Sequence, residues 1–269
     1  MQHLTLHRSE GVQLDAYILA HETLRPAMLV IPGGCYQFVS QRENKPVAMK
    51  FAELGYNTFV LTYTVNQPPL GQRPLEDASW AMGQIHEHAE EWHLMPGHTF
   101  VCGFSAGGHL TAWLGNCWND PDLWERTGIA PGSNRPDGLI LAYPVISSGP
   151  YAHATSFEML AGPKRENDQA FSQELLVNDD TPPAFLWHTQ QDGTVDIHNS
   201  LLYMQAMVEH GRPIEAHFFP WGDHGFSVAT PLMEEFPGLI TRTADPYVAR
   251  WTTLAHQWMQ EMISRRDKQ

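Results

Sequence analysis

Ser105 stands two residues from Gly103 and two from Gly107 in the run GFSAGGHL (103–110), and the apolar residues Phe100, Val101 and Cys102 lead into it. A serine flanked in this way fits the GxSxG pattern of a nucleophile that attacks a carbonyl carbon. The glycines have a steric reason. A strand must turn sharply into a helix, and side chains at 103 and 107 would collide with neighbouring backbone. The corner pushes the hydroxyl outward and leaves the Ala106 amide at a helix N-terminus, where unpaired donors and the helix dipole favour a developing oxyanion. Ser105 is therefore the candidate nucleophile and the Ala106 amide a candidate stabiliser.

A serine hydroxyl is a poor nucleophile until a base takes its proton, and a histidine base is held in its working tautomer by a buried carboxylate. Among fifteen histidines, His224 lies in FPWGDHGF (219–226), a glycine-flanked loop directly after the last predicted strand. For the carboxylate, FLWHTQQDGTV (185–195) reads as an apolar strand running into a loop, with Asp192 a few residues past the strand end. Asp196 competes, but its place just before a helical stripe suits an N-cap. Asp223 adjoins His224 and is expected to point elsewhere. Asp192 is the preferred acid.

A second oxyanion donor is expected from the loop after the third strand, Ile31-Pro32-Gly33-Gly34-Cys35-Tyr36, where glycines let backbone amides approach a ligand closely; Pro-Gly-Gly is also a plain turn. Tyr36 and Phe226 flank the proposed catalytic loops and are candidates for lining an acyl or alcohol pocket, with core packing the competing reading. His86, His88 and His93 do not share a helix face or a set of carboxylates, so they read as solvated helix residues rather than metal ligands. His109 and His188 are expected to pack near the site.

Eight strand-like segments must carry these residues: 3–7, 12–20, 27–32, 57–63, 98–104, 137–143, 183–189 and 214–220. Leu29-Val30-Ile31, Phe59-Val60-Leu61 and Leu139-Ile140-Leu141 are continuous apolar runs, as in parallel strands buried on both faces. The first two segments instead alternate around a Ser9-Glu10-Gly11 turn, which predicts an antiparallel edge hairpin. Helical stripes run through Ala78, Met82, Ile85, Ala89 and Trp92; through Ile197, Leu201, Met204 and Val208; and through Val248, Trp251, Ala255, Trp258 and Met262. Each is expected to pack one face on the sheet. The order predicts one doubly wound α/β domain over 1–269, a mostly parallel eight-stranded sheet with helices on both faces. The connection at about 145–182 is long, and reads either as a cap or insertion over the strand ends or as a plain surface helix.

Composition narrows the chemistry. Apolar residues make up 42% and charged residues 17% of the 269, as in a globular protein, and no stretch approaches the roughly 20 consecutive apolar residues of a membrane helix. The N-terminus lacks the apolar core of a signal peptide, so a cytoplasmic location is expected. Cys35, Cys102 and Cys117 are an odd set without metal-ligand spacing and read as reduced thiols. A formal charge of -14 disfavours nucleic acid and anionic membranes as partners.

Taken together, GFSAGGHL, PGGCY (32–36), HTQQDGTVDIHNSL (188–201) and FPWGDHGF resemble the corresponding segments of the α/β-hydrolase superfamily. The closest likeness is to its carboxylesterase, acetyl-xylan-esterase-like branch, related to the hormone-sensitive-lipase-like esterases. The resemblance covers nearly the whole length. It implies Ser105 as nucleophile, Asp192 as orienting acid and His224 as base, with amides of Gly34, Cys35 and Ala106 forming the oxyanion hole. Pro32 stands where the family motif has histidine, and Cys35 where it has a third glycine. The expected activity is hydrolysis of small neutral esters, foremost acetyl esters of a carbohydrate, with no metal or organic cofactor. Because a neutral imidazole must accept the proton, activity is expected to rise with pH across roughly 6 to 7. The rival readings are a serine peptidase of the prolyl-oligopeptidase type, which needs a large further domain, and a ligand-binding protein on a hydrolase scaffold.

Overall fold

The computed structural model describes residues 1–20, 22–231 and 244–266. Eight strands form one sheet: β1 (Gln2–Ser9), β2 (Val12–Ile18), β3 (Arg25–Ile31), β4 (Asn57–Thr62), β5 (Leu94–Phe104), β6 (Gly138–Ala142), β7 (Ala184–Thr189) and β8 (Ile214–Phe219). Their spatial order is β1-β2-β4-β3-β5-β6-β7-β8. The pairs β1–β2 and β2–β4 are antiparallel, and every pair from β3–β4 onward is parallel. All eight predicted strands are present, and the edge hairpin is antiparallel as its alternation required.

Helices cover both faces. They are α1 (Lys45–Glu53), α2 (Arg73–Glu87), α3 (Ala106–Cys117), α4 (Pro121–Thr127), α5 (Ala154–Ala161), α6 (His198–Glu209), α7 (Pro246–Ala249) and α8 (Trp251–Arg266). Successive side chains of a strand point to opposite faces, so each central strand feeds two cores. Leu29 and Val101 pack with Ala78, Met82, Leu110 and Trp113 of α2 and α3. Val30, Cys102 and Ile140 face the other way, towards Phe51 of α1 and Trp251, Ala255 and Met259 of α8.

The α6 stripe requires correction. Val208 is 64% exposed and Leu201 36%, whereas Asn199, Ser200, Tyr203, Ala206 and Met207 form the buried face. Tyr203 and Met207 pack on Leu139 and Leu186 of the sheet. Asn199 Oδ1 accepts the amides of Ile146 and Ser147, and the Ser200 hydroxyl meets His188 Nδ1. Polar residues whose bonds are all made can be buried, and hydrophobic periodicity does not see them.

The segment after β6 packs into the body of the fold. Its α5 places Phe157 edge-on to His109 and beside Val145 and Val195. The parallel registers Ile31↔Gly103, Phe104↔Ala142, Ala142↔Trp187 and Thr189↔Phe219 bring the C-terminal ends of β3, β5, β6, β7 and β8 to one edge. Every loop carrying a candidate site residue leaves from that edge, where open α/β sheets bind ligands.

Candidate active site

Ser105 joins β5 to α3 at φ 53° and ψ -119°, a left-handed conformation that a side chain adopts only under constraint. Two close approaches impose it. A Cβ on Gly103 would lie 2.2 Å from the Gly107 carbonyl oxygen, and one on Gly107 would lie 2.1 Å from the Ile31 carbonyl oxygen. Only glycine lets strand, helix and neighbouring loop converge at this corner. The Ser105 amide donates to the Ala142 carbonyl at 3.0 Å, which fixes the turn against β6.

His224 Nε2 lies 2.8 Å from Ser105 Oγ, and its Nδ1 lies 2.7 Å from Asp192 Oδ2. A carboxylate only accepts, so Nδ1 carries the proton and Nε2 is left to accept from the serine hydroxyl. The ring is also held edge-on by Tyr143, with centroids 4.8 Å apart. Asp223 Oδ1 accepts the His224 backbone amide, while the imidazole Nδ1 bonds to Asp192. Asp196 is exposed, accepts the His198 amide at the start of α6 and pairs with His198 Nδ1.

The Asp192 side chain has no exposed surface. Its Oδ1 accepts the amides of Thr194 and Val195 at 2.9 and 2.8 Å, and its Oδ2 accepts from both His224 and His188. Burial alone pushes its acidity towards the neutral form, but the hydrogen bonds and charges of the two imidazoles prevail, and the carboxyl sits well below the usual carboxylate range. His188 is fully buried. Its Nε2 faces two acceptors, Asp192 Oδ2 at 3.1 Å and the Val195 carbonyl at 3.0 Å, so this nitrogen carries a proton and Nδ1 takes the Ser200 hydroxyl.

Facing Ser105, the loop after β3 turns through positive φ at Gly34, Cys35 and Tyr36. The Gly33 amide is taken by Glu43 Oε2, while the amides of Gly34 and Cys35 meet no acceptor among the described residues. The Ala106 amide, first in α3, has no place in the helical ladder. A cleft of about 220 Å³ opens here, lined by Gly34, Cys35, Phe38, Ser105, Thr194 and His224 with parts of the 40–43 turn. It falls below the roughly 300 Å³ at which pockets for larger organic ligands begin. Burial pushes the Cys35 thiol up, with the Glu43 charge adding to it, which leaves Cys35 a neutral wall.

The two aromatic candidates belong to the core instead. Tyr36 has no exposed surface, and its hydroxyl meets His109 Nδ1 at 2.7 Å. Phe226 packs with Trp187, Phe219 and Trp251 and is 8% exposed. Neither lines the cleft, because each ring is the apolar backing that holds its loop in place. The exposed aromatic there is Phe38, 46% accessible, which sequence gave no reason to choose. His86 and His88 are half-buried against Thr99 and Trp92 rather than fully solvated, and no set of metal-ligating side chains occurs among the described residues. Nor is any described helix long and apolar enough to cross a membrane. Glu43, Tyr143 and Thr194 also stand at the site; they carry no sequence motif, and only the strand-end position of Tyr143 hints at it.

The BD-FAE family matches residues 14–135 of the chain. An endo-1,4-beta-xylanase B of Butyrivibrio fibrisolvens is 40% identical over 221 residues, which cover 80% of this chain and 35% of the relative. An acetylxylan esterase of Xylanibacter ruminicola is 28% identical over 76% of this chain and 42% of its own length. The chain thus spans less than half the length of these two curated relatives. Among solved structures, an acetyl ester-xyloside bifunctional hydrolase from Caldicellulosiruptor lactoaceticus superposes with a TM-score of 0.80 at 35% identity, covering 93% of this chain and 88% of that one.

Proposed function

Because the chain belongs to the esterase branch of the α/β-hydrolase superfamily, we propose that it hydrolyses carboxylic esters through an acyl-enzyme on Ser105 and that its substrates are acetyl esters of carbohydrates. The observation that carries this reading is the hydrogen-bonded line from Ser105 Oγ through both nitrogens of His224 to Asp192. As Ser105 Oγ bonds to the ester carbonyl carbon, His224 Nε2 takes the hydroxyl proton, and Asp192 stabilises the imidazolium. The carbonyl oxygen becomes an oxyanion between the amides of Gly34, Cys35 and Ala106. Collapse breaks the bond to the alcohol, which leaves with the proton from His224. Water then adds to the acyl-serine, giving its proton to the same nitrogen, and release of the acid returns that proton to Ser105.

The small cleft favours a short acyl group, and similarity to an acetylxylan esterase and to an acetyl ester-xyloside hydrolase supports a carbohydrate as the alcohol. The test compares p-nitrophenyl esters of increasing chain length with acetylated xylo-oligosaccharides. Acetyl should be turned over fastest, acetate should appear from the oligosaccharide, and Ser105→Ala should abolish both while the fold persists. A folded Ser105→Ala protein with undiminished turnover refutes the mechanism. Preference for long acyl chains, or no acetate released, refutes the substrate class.

A further inference from the structure

We infer that Glu43 is a positioning residue that aims the oxyanion-hole loop and the histidine base at one another, through hydrogen bonds to the Gly33 amide and the Tyr143 hydroxyl. The inference rests on the esterase reading and deepens it. Glu43 is 5% exposed, lies in a short 3₁₀ turn (Gln41–Glu43) and has no ion-pair partner among the described residues. Burying an unpaired carboxylate costs several kcal/mol unless its oxygens find donors. Both do. Oε2 accepts the Gly33 amide at 2.9 Å and Oε1 the Tyr143 hydroxyl at 2.7 Å.

Each donor leads to a different part of the site. Gly33 precedes the two amides offered to the oxyanion, and it is wedged between the carboxylate and the nucleophile. A Cβ built there would come within 2.8 Å of Glu43 Oε2 and 3.0 Å of Ser105 Cβ. Tyr143, at the end of β6, presses its ring on His224, and its hydroxyl also accepts the Ser227 amide at 2.9 Å. The preceding residue of the turn supports the same assignment, since the Arg42 guanidinium donates to the Gly225 carbonyl, beside His224, and the Ser227 hydroxyl donates to the Arg42 carbonyl. One turn thus clamps the loop after β3, the end of β6 and the loop after β8. Those three loops are far apart in sequence, and no strand pairing joins their tips. An oxyanion donor stabilises in proportion to its aim, so a loss of aim lowers kcat more than it raises KM.

The test uses the full chain with p-nitrophenyl acetate and with a phenylboronic acid, which forms a tetrahedral adduct on an active serine. Glu43→Leu removes both acceptors and should lower kcat about 10- to 100-fold with KM within about threefold. Its affinity for the boronate should fall in step. Glu43→Gln keeps an acceptor for Gly33 while its amide meets the Tyr143 oxygen, and should recover most of kcat. Tyr143→Phe leaves Gly33 held and should lose about 3- to 10-fold; it decides the matter if the leucine variant does not fold. Wild-type kcat in folded Glu43→Leu or in Tyr143→Phe overturns the inference, as does Glu43→Gln being as slow as leucine, which would mean that charge and not hydrogen bonding matters. A wild-type protein that neither hydrolyses the ester nor binds the boronate sinks the esterase reading itself, a distinct result.

Discussion

Replacing Asp192 by asparagine isolates the tautomer argument, because the change is isosteric and its effect can be worked from the four donors around the carboxylate. Oδ1 faces the amides of Thr194 and Val195, and Oδ2 faces His224 Nδ1 and His188 Nε2. An asparagine has one acceptor oxygen. Two convergent backbone donors cannot move, so the oxygen takes their side and the NH₂ group is turned towards the imidazoles. His224 can then satisfy it only by accepting at Nδ1, which moves its proton to Nε2 and leaves nothing to receive the Ser105 proton. His188 loses one of its two acceptors but keeps the Val195 carbonyl, so the fold should survive. Loss of the correct tautomer costs about 10⁴ in kcat in serine hydrolases of this design, equivalent to about 5 kcal/mol in the barrier. Steady-state kinetics with p-nitrophenyl acetate, with circular dichroism to verify folding, would measure it. A folded Asp192→Asn enzyme within tenfold of wild-type kcat would falsify the assignment of Asp192 as the group that orients His224.

Two further outcomes follow from the packing. His109 is fully buried against Tyr36, Trp113 and Phe157, and burial pushes its pKa from 6.5 down to about 4 against the opposing pull of the Phe171 carbonyl. The folded value is the depressed one, so the unfolded chain binds the proton first. Its stability contribution is complete above pH 6.5 and drains away as pH falls towards 4, by about 3 kcal/mol in all. Urea midpoints at pH 7.5 and 4.5 should therefore converge in His109→Asn relative to wild type, and an identical pH slope in both proteins argues against the neutral buried imidazole. Gly107→Ala sets a methyl against the carbonyls of Ile31 and Pro32 and should lower the stability by about 1–3 kcal/mol or more, read as a drop in Tm. Wild-type Tm in that variant would show that the elbow has room the geometry denies it.

Much of this architecture is legible in the linear chain because its signals are local. Eight strands announce themselves as apolar runs or alternations, and the elbow is written in two glycines and a serine. Asp192 could be preferred to Asp196 because a residue just ahead of a helix has a capping role of its own, and Asp196 does take the His198 amide. Hydrophobic spacing misassigns the inward face of α6 because that face opens with Asn199 and Ser200, whose burial depends on partners at Ile146, Ser147 and His188 that no local pattern displays. Tyr36 and Phe226 lie on the loops that the sequence singles out, and of the two readings open for them core packing holds, since sequence locates a loop without saying which of its side chains faces in.

The sequence by itself determined the element order, the edge hairpin and which loops bear Ser105, Asp192 and His224, since these depend on periodicity and on turns a few residues long. The tertiary structure alone decided the distances between those loops, the tautomer of His224 and the second imidazole on Asp192. It also decided the buried Glu43 that joins Gly33 to Tyr143 across 110 residues of chain. A hydrogen bond needs two partners within about 3 Å, and for residues far apart in the chain only the packed sheet sets that separation.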